Sequence, residues 1–598
     1  MTIIKAVATA TVAALVFSVP AHGQQAATPL PVVKPRIQPA LKAHGDLYAK
    51  QVYKLGKSVH VAVGWDLANI IMIEGDDGIV IVDTGLDLGR AREMLAEFRK
   101  ITQKPVKAIV YTHHHVDHIN GGKAFAAEED VKAGRVRIIA HDSLMENVQR
   151  QGGTIGPILG VRSAYSFGAA LGAADMEGMN GGIGPNVGHA VQGSFLAPTE
   201  TFGDRLETTI AGIRMEMVHV PSEAPDEIAI WLPDQRVLLS AEVIQDHTFP
   251  NIHTLRGATY RDPVKWFKSI DRLRGFKADA MGLQHGPPVE GAAEVERVLT
   301  TYRDGIQFVH DQTVRYMNKG LTPEELAQVV KLPAHLGGTK PWMEEFYGTV
   351  SHSVRQIYQG YLGWFQGDPL KLDPIPPVES AKRHVALMGG RDKVMAAARE
   401  AYDKGDFQWA AELATYVIRI DQKDRDARAL KANAFRELGY AQININWRNW
   451  YLMSALELAG DLDIEALQQG ILQVFASPDT VAALPAANFV EGLTTRLKAE
   501  ETLDTVMSIG WVFPDIDEAY GLTIRRGIAE YRKGLPENPD MTLTLNKTAL
   551  DQVLLGRTGF PALMVKGDMK VSGNPLKLMT MFNAFEKPFV DPIRLTVR

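Results

Sequence analysis

The chain of 598 residues has no cysteine. That absence excludes disulfide scaffolds, thiolate-bound zinc, iron–sulfur clusters and cysteine nucleophiles, so any metal must be held by His, Asp or Glu. An excess of positive charge is lacking too. The 64 Lys and Arg are outnumbered by 70 Asp and Glu, and a formal net charge of −6 offers no field to attract nucleic acid. Long hydrophobic runs are missing beyond the N-terminal stretch, so no later segment reads as a membrane span. No Gly-x-Ser-x-Gly elbow joins a strand to a helix, which disfavours serine-hydrolase chemistry. What remains, 45% apolar and 22% charged residues, is ordinary globular usage, and the length suggests about three or four domains.

Residues 1–23 read as a signal peptide: Lys5, the apolar stretch Ala6–Val19, then the small-x-small site Ala21-His22-Gly23. The stretch is shorter than the roughly 20 residues of a membrane span. The expectation is an exported chain, periplasmic or secreted, without a stable membrane anchor. Export without disulfides leaves core size and bound metal as the sources of stability.

Residues 24–45 read as an extended lead-in. Short β-rich runs follow at Val59–Val63, Ile70–Ile73 and Ile79–Val82, with Asp76-Asp77-Gly78 as a hairpin turn. Helical periodicity covers Gly89–Ile101. Further strands are predicted at Val106–Tyr111, Ile138–Ala140, Ile210–Val220, Ile228–Leu232 and Val237–Leu239, an alternation that predicts a layered α/β domain to about residue 370. Gly153–Gly193 is glycine-rich and shows no regular period; a lid and a surface insertion are both open. Lys371–Val378 reads as a proline linker. Lys393–Arg419 and Asp424–Tyr440 predict paired helices, and the spacing of Gly405 to Gly439 is that of tetratricopeptide hairpins. Two hairpins are too few for a solenoid, which points to a packing or dimerisation module. Ser477–Pro485 reads as a second linker, followed by a helix at Asn488–Lys498 and strands at Leu522–Tyr531 and Met541–Leu545.

The Val106–Tyr111 strand runs into His113-His114-His115-Val116-Asp117-His118. On such a loop His113 and His115 alternate and share a face, while Asp117 and His118 turn toward a second position. Imidazole with carboxylate and no thiolate suits zinc, manganese or iron, and zinc is the default for hydrolysis at neutral pH.

The skeleton His113-x-His115-x-Asp117-His118 resembles that of the metallo-β-lactamase superfamily. Four stations match in order: Val82-Asp83-Thr84-Gly85, His219-Val-Pro-Ser-Glu223, Leu239-Ser-Ala-Glu242 and Gln284-His285-Gly286-Pro287. Glu223 and Glu242 stand where His and Asp are usual. With Glu223-Ala-Pro-x-Glu227 and the segment Asn251–Asp262, this is similar to the alkylsulfatases of that superfamily. His114 departs from the pattern, which has a small polar residue there, and the Glu242 to Asn251 spacing is slightly long.

The resemblance implies a multidomain chain. An αββα metallo-β-lactamase fold would cover residues 24–370, an all-α, TPR-like dimerisation domain 376–476, and an α+β SCP2-like domain 480–598. It implies two zinc ions per chain, one on His113, His115 and Glu223, the other on Asp117, His118 and His285, with Glu242 bridging and Asp83 bracing the loop from behind. It implies sulfate bound by Asn251, Arg256 and Arg261, catalytic roles for Asp117, Arg256 and Tyr165, and a homodimer. Glu227 reads as structural, and His141, His247 and His253 as non-ligands.

The chemistry is coherent. A carboxylate-rich shell weakens each metal as a Lewis acid, so other positive charge is needed beside a sulfate ester, and guanidinium forks match its oxygens. The expected reaction is hydrolysis of a small, surfactant-like alkyl sulfate to alcohol and sulfate by metal-activated water. Two alternatives stay open: another hydrolase of the same fold (β-lactamase, thioesterase or phosphodiesterase), or an exported lipid-binding protein with a structural metal site. Phe560, Leu563, Met564, Leu576, Leu578, Met579 and Met581 read as ordinary core, although the resemblance implies a lipid-accommodating tunnel.

Overall fold

The computed structural model describes residues 30–186, 191–257, 259–337, 342–475, 477–574, 576–587 and 591–598. The signal-peptide reading lies outside the described residues, as do Ala258 of the Asn251–Asp262 segment and residues 187–190 of the glycine-rich stretch.

Runs of branched apolar residues buried on both faces build the middle of the first sheet, and its edge strands are more exposed. Its strands are β1 (Gln51–Leu55), β2 (Val59–Val63), β3 (Ile70–Glu74), β4 (Ile79–Val82), β5 (Val106–Val110), β6 (Arg137–His141) and β7 (Glu200–Phe202), adjacent in chain order. The first four form an antiparallel meander; β4 to β7 run parallel. Side chains alternate along β3 and β4. Ile71, Ile73, Val80 and Val82 face the second sheet, while Ile70, Met72, Ile79 and Ile81 pack with Met94 and Phe98 of helix Leu88–Arg99.

The second sheet has six strands and runs, edge to edge, in the reverse of chain order. Its strands are β8 (Arg205–Ile210), β9 (Ile213–His219), β10 (Ile228–Leu232), β11 (Val237–Leu239), β12 (Ala280–Gly282) and β13 (Val289–Glu290). Trp266, Tyr302 and Ile357, from helices Pro263–Arg274, Ala292–Met317 and Val350–Leu362, cover its outer face. The whole is a helix–sheet–sheet–helix sandwich. The single strand expected over Ile210–Val220 is corrected to β8 and β9. Ala211 and Gly212 turn between them at positive φ, 50° and 78°; an isolated glycine inside an apolar run reads equally as a bulge in one strand.

Gly153–Gly193 is also more regular than its composition suggests. It contains helix Gly156–Phe167, which packs Val161, Ala164 and Tyr165 against Leu452, Met453 and Ile471. Tertiary packing outweighs weak intrinsic propensity there. The helices Arg391–Asp403, Phe407–Ile420, Arg425–Tyr440 and Ile445–Ala459 form the helical module, with Gly405 at φ 82° turning the first pair. Ser477–Pro485 is not a linker: Ser477 caps helix Pro478–Ala483, accepting from Thr480 N at 3.2 Å. Beyond it lies a five-stranded sheet, and the run Leu522–Tyr531 divides at Arg526-Gly527 into two of its strands. Leu563, Leu578 and Met581 belong to the core beneath it, while Met579 is exposed.

Residues 593–597 return to the helical module. Buried Glu457 accepts the backbone N–H groups of Leu595 (3.1 Å), Thr596 (3.0 Å) and Val597 (2.7 Å), and also the Tyr165 hydroxyl. Among the described residues no helix is long and apolar enough to cross a membrane.

Candidate metal centre

The strand ends deliver the site. Asp83 follows β4, the 113–118 loop follows β5, Glu223 follows β9, Glu242 follows β11 and His285 follows β12. Asp83, Ala241 and Asp246 hold positive φ (59°, 55° and 65°), backbone strain gathered around one rim of the sandwich.

The seven residues expected as ligands meet there. His113, His115, Glu223 and Glu242 form one group and Asp117, His118 and His285 another, the donor atoms of each lying within 4.8 Å of one another. Glu242 reaches both: its Oε2 lies 3.3 Å from His113 Nε2 and 3.5 Å from His118 Nε2, and its Oε1 3.6 Å from His285 Nε2. Glu223 Oε2 is 3.5 Å from His115 Nδ1, and Asp117 Oδ2 is 3.5 Å from His118 Nε2.

A second tier of hydrogen bonds aims these groups. His118 Nδ1 lies 2.7 Å from Asp83 Oδ2, which also accepts from Thr112 Oγ1 at 2.7 Å and Gln284 Nε2 at 2.5 Å. His285 Nδ1 lies 3.0 Å from the Leu67 carbonyl. Each ring therefore donates through Nδ1 and turns an Nε2 lone pair inward. Those two Nε2 atoms, and Glu223 Oε2, are buried without a hydrogen-bond partner. Orphaned acceptors of this kind are expensive unless something fills them, and this imidazole–carboxylate set fits a cation. Glu227 has the structural role read from the sequence: it accepts Glu242 N at 2.6 Å, Glu223 N at 3.2 Å and the Ser222 hydroxyl.

Burial dominates the electrostatics. It lowers the His113 and His115 imidazoles, with neighbouring histidines adding to the effect. It raises the Glu223 carboxyl to about 7, opposed by Arg261. His118 goes the other way: Asp117 and Asp83 outweigh its burial and hold it well above its usual value, so its acidic neighbours favour a positive charge there, a proton on Nε2 or a cation in its place.

A cavity of about 530 Å³ opens beside the cluster. His115, Asp117, Glu223, Glu242, Arg256 and Tyr347 line its polar end. Leu159, Phe167, Ile183, Leu467 and Ile471 line an apolar remainder. Arg256 Nη2 lies 3.2 Å from His115 Nε2.

Three expected residues sit differently. Tyr165 is turned away from the cavity: its hydroxyl bonds Glu457 and its ring packs on Trp450. Arg261 does not offer its fork to the cavity. Its two Nη atoms are spent on Glu223 Oε1 and the Asn251 carbonyl, both at 2.6 Å, so it braces a cluster carboxylate instead. Asn251 is buried outside the cavity lining, and both polar atoms of its carboxamide are unpartnered. Tyr347 was missed, since it lies on an irregular segment with no motif. His141 stacks on His219 and His247 on Trp342, outside both donor groups.

Sandwich, rim and donor set are those of a candidate metal centre in a domain of the metallo-β-lactamase superfamily, whose family model matches residues 63–285. Models described as alkyl sulfatase dimerisation and alkyl sulfatase C-terminal match residues 322–461 and 474–591. The chain is 55% identical over 531 residues to a linear primary-alkylsulfatase of Pseudomonas sp. (strain ATCC 19151), covering 88% of this chain and 100% of the relative. It is 33% identical to the alkyl/aryl-sulfatase BDS1 of Saccharomyces cerevisiae (strain ATCC 204508 / S288c), over 93% of this chain and 86% of that one. The solved structure of the stereoselective inverting sec-alkylsulfatase Pisa1 from Pseudomonas sp. superposes with a TM-score of 0.85 at 32% identity, covering 94% of this chain and 88% of that one. The chain belongs to the alkylsulfatase family and is a sulfuric ester hydrolase.

Proposed function

We propose that the chain hydrolyses alkyl sulfate esters to alcohol and sulfate with two zinc ions. His113, His115 and Glu223 would hold one, Asp117, His118 and His285 the other, and Glu242 would bridge them. The observation that carries this reading is the convergence of seven donors at the polar end of a cavity whose other walls are apolar. A bound metal pair would supply an activated water and positive charge beside the ester.

The chain's own residues do the rest. Arg256 presents a guanidinium to the sulfate oxygens, with the buried Tyr347 beside it in the same end of the cavity. Asp83 and Leu67 fix the tautomers of His118 and His285. Leu159, Phe167 and Ile471 offer the alkyl chain a dry wall. The 55% identity to a linear primary-alkylsulfatase favours a linear primary ester. Asn251, with its unpaired carboxamide, stays a candidate for sulfate. The signal-peptide pattern of residues 1–23 supports export to the periplasm or medium.

The test combines metal analysis with sulfate release from dodecyl sulfate. About two zinc per chain and activity abolished by chelation are expected. Absence of metal, or activity on phosphate or carboxylate esters alone, would overturn the reading. Hydrolysis in heavy-oxygen water then tells carbon attack, with label in the alcohol, from sulfur attack, with label in the sulfate.

A further inference from the structure

We propose that Gln151 is a substrate-positioning residue, held in place by the buried pair His114–Asp226; this rests on the alkyl sulfate reading above. His114 is the residue that departs from the family pattern. Its side chain is buried, with Nδ1 2.6 Å from Asp226 Oδ1. Asp226 is fully buried and, as a carboxylate, only accepts, so the His114 hydrogen sits on Nδ1.

The opposite nitrogen is then an acceptor. It lies 2.7 Å from Gln151 Nε2 and takes one of the two amide hydrogens. Both ring nitrogens of His114 are thereby used, and neither is left to bind a cation. The His114 ring also packs on His115, with centroids 4.7 Å apart, which places this chain of bonds at the polar end of the cavity.

Gln151 lines that cavity from helix Leu144–Gly152. Rotating its amide by half a turn would set its carbonyl against the His114 lone pair. The hydrogen bond therefore selects one orientation and leaves the second N–H to donate into the cavity. A sulfate ester oxygen is the acceptor that suits it, in the cavity that Arg256 also lines.

The experiment compares Gln151→Ala, Gln151→Glu, His114→Ala and the double alanine variant as metal-loaded enzymes on dodecyl sulfate, with metal content measured on each sample. Gln151→Ala is expected to raise KM about ten-fold with kcat within about two-fold and metal content unchanged. His114→Ala should do the same, and the double variant no worse than either, because both remove one linked contact. Gln151→Glu should raise KM further, since a carboxylate cannot donate and repels the ester. An unchanged KM in Gln151→Ala, additive losses in the double variant, or loss of metal in His114→Ala would each overturn the proposal. A wild-type chain with no activity on dodecyl sulfate would overturn the functional reading together with it.

Discussion

Arg256 and Arg261 look equivalent in sequence, five residues apart and both candidates for sulfate, yet the fold gives them different work. Arg256 lines the cavity, whereas Arg261 is spent on Glu223 and a backbone carbonyl. Arg256→Ala is therefore expected to lower kcat/KM for alkyl sulfates by about 100-fold or more with metal retained. Arg261→Ala should instead weaken metal binding by about 10–100-fold, read by titration against a chelator. The donors at 113–118 were legible because they are clustered on one strand-end loop, and Glu223, Glu242 and His285 because their stretches match, in order, the stations of the superfamily that this loop resembles. Tyr347 and the true partner of Tyr165 were not, since both depend on segments far apart in the chain. A second residue-scale expectation concerns Lys431, buried over the Phe435 ring at 5.3 Å. Burial, reinforced by Arg419, lowers its ammonium from 10.5 to about 8. Between those values the unfolded chain binds more protons, so the destabilisation is complete below the folded pKa and fades as pH rises toward 10.5. Lys431→Met should raise stability by ~1–3 kcal/mol at neutral pH, with the gain shrinking near pH ~10 in denaturant melts.

At the scale of elements, the strands were readable wherever apolar runs ended in turn residues. A strand was misjudged where the pair Ala211-Gly212 turned the chain inside an apolar run, and a linker was expected where Ser477 caps a helix. Helix Gly156–Phe167 was hidden by its glycines, and one of these has a packing reason. A Cβ on Gly160 would come 2.2 Å from Ile471 Cγ2, so the glycine lets this helix close on helix Ile464–Phe475. Both helices line the cavity. Ile471→Ala should widen the apolar wall and shift the preferred ester toward longer or bulkier chains, measured as kcat/KM across a homologous series. Gly160→Val should force the helices apart and depress activity on every chain length.

At the scale of the molecule, the order of three units could be read from the change of period along the chain, because each unit has a core cluster of its own, although helix Gly156–Phe167 shares one with the helical module. The surface between Tyr361 and Val378 could not. Tyr361, Leu362, Trp364, Leu370, Leu372 and Ile375 are all exposed there, Trp364 at 66% and Leu370 at 73%. Such a row on one segment is more than a soluble monomer ordinarily shows, and it falls within the stretch matched by the dimerisation model. A homodimer is the expected state, and Trp364→Asp with Leu370→Asp should convert it to monomer in light scattering.

The anchoring of residues 593–597 by Glu457 ties one wall of the cavity to a segment far downstream in the chain. Tyr165 on the cavity-lining helix shares that carboxylate with three backbone donors that leave the ribosome long after the metal-binding loops. The strands and loops that carry the donor cluster are thus complete in a nascent chain before residues 593–597 can dock on Glu457 beside helix Gly156–Phe167. Cleavage or substitution that releases residues 595–597 from Glu457 would act on the reaction from a distance, by loosening a helix rather than by touching any catalytic group.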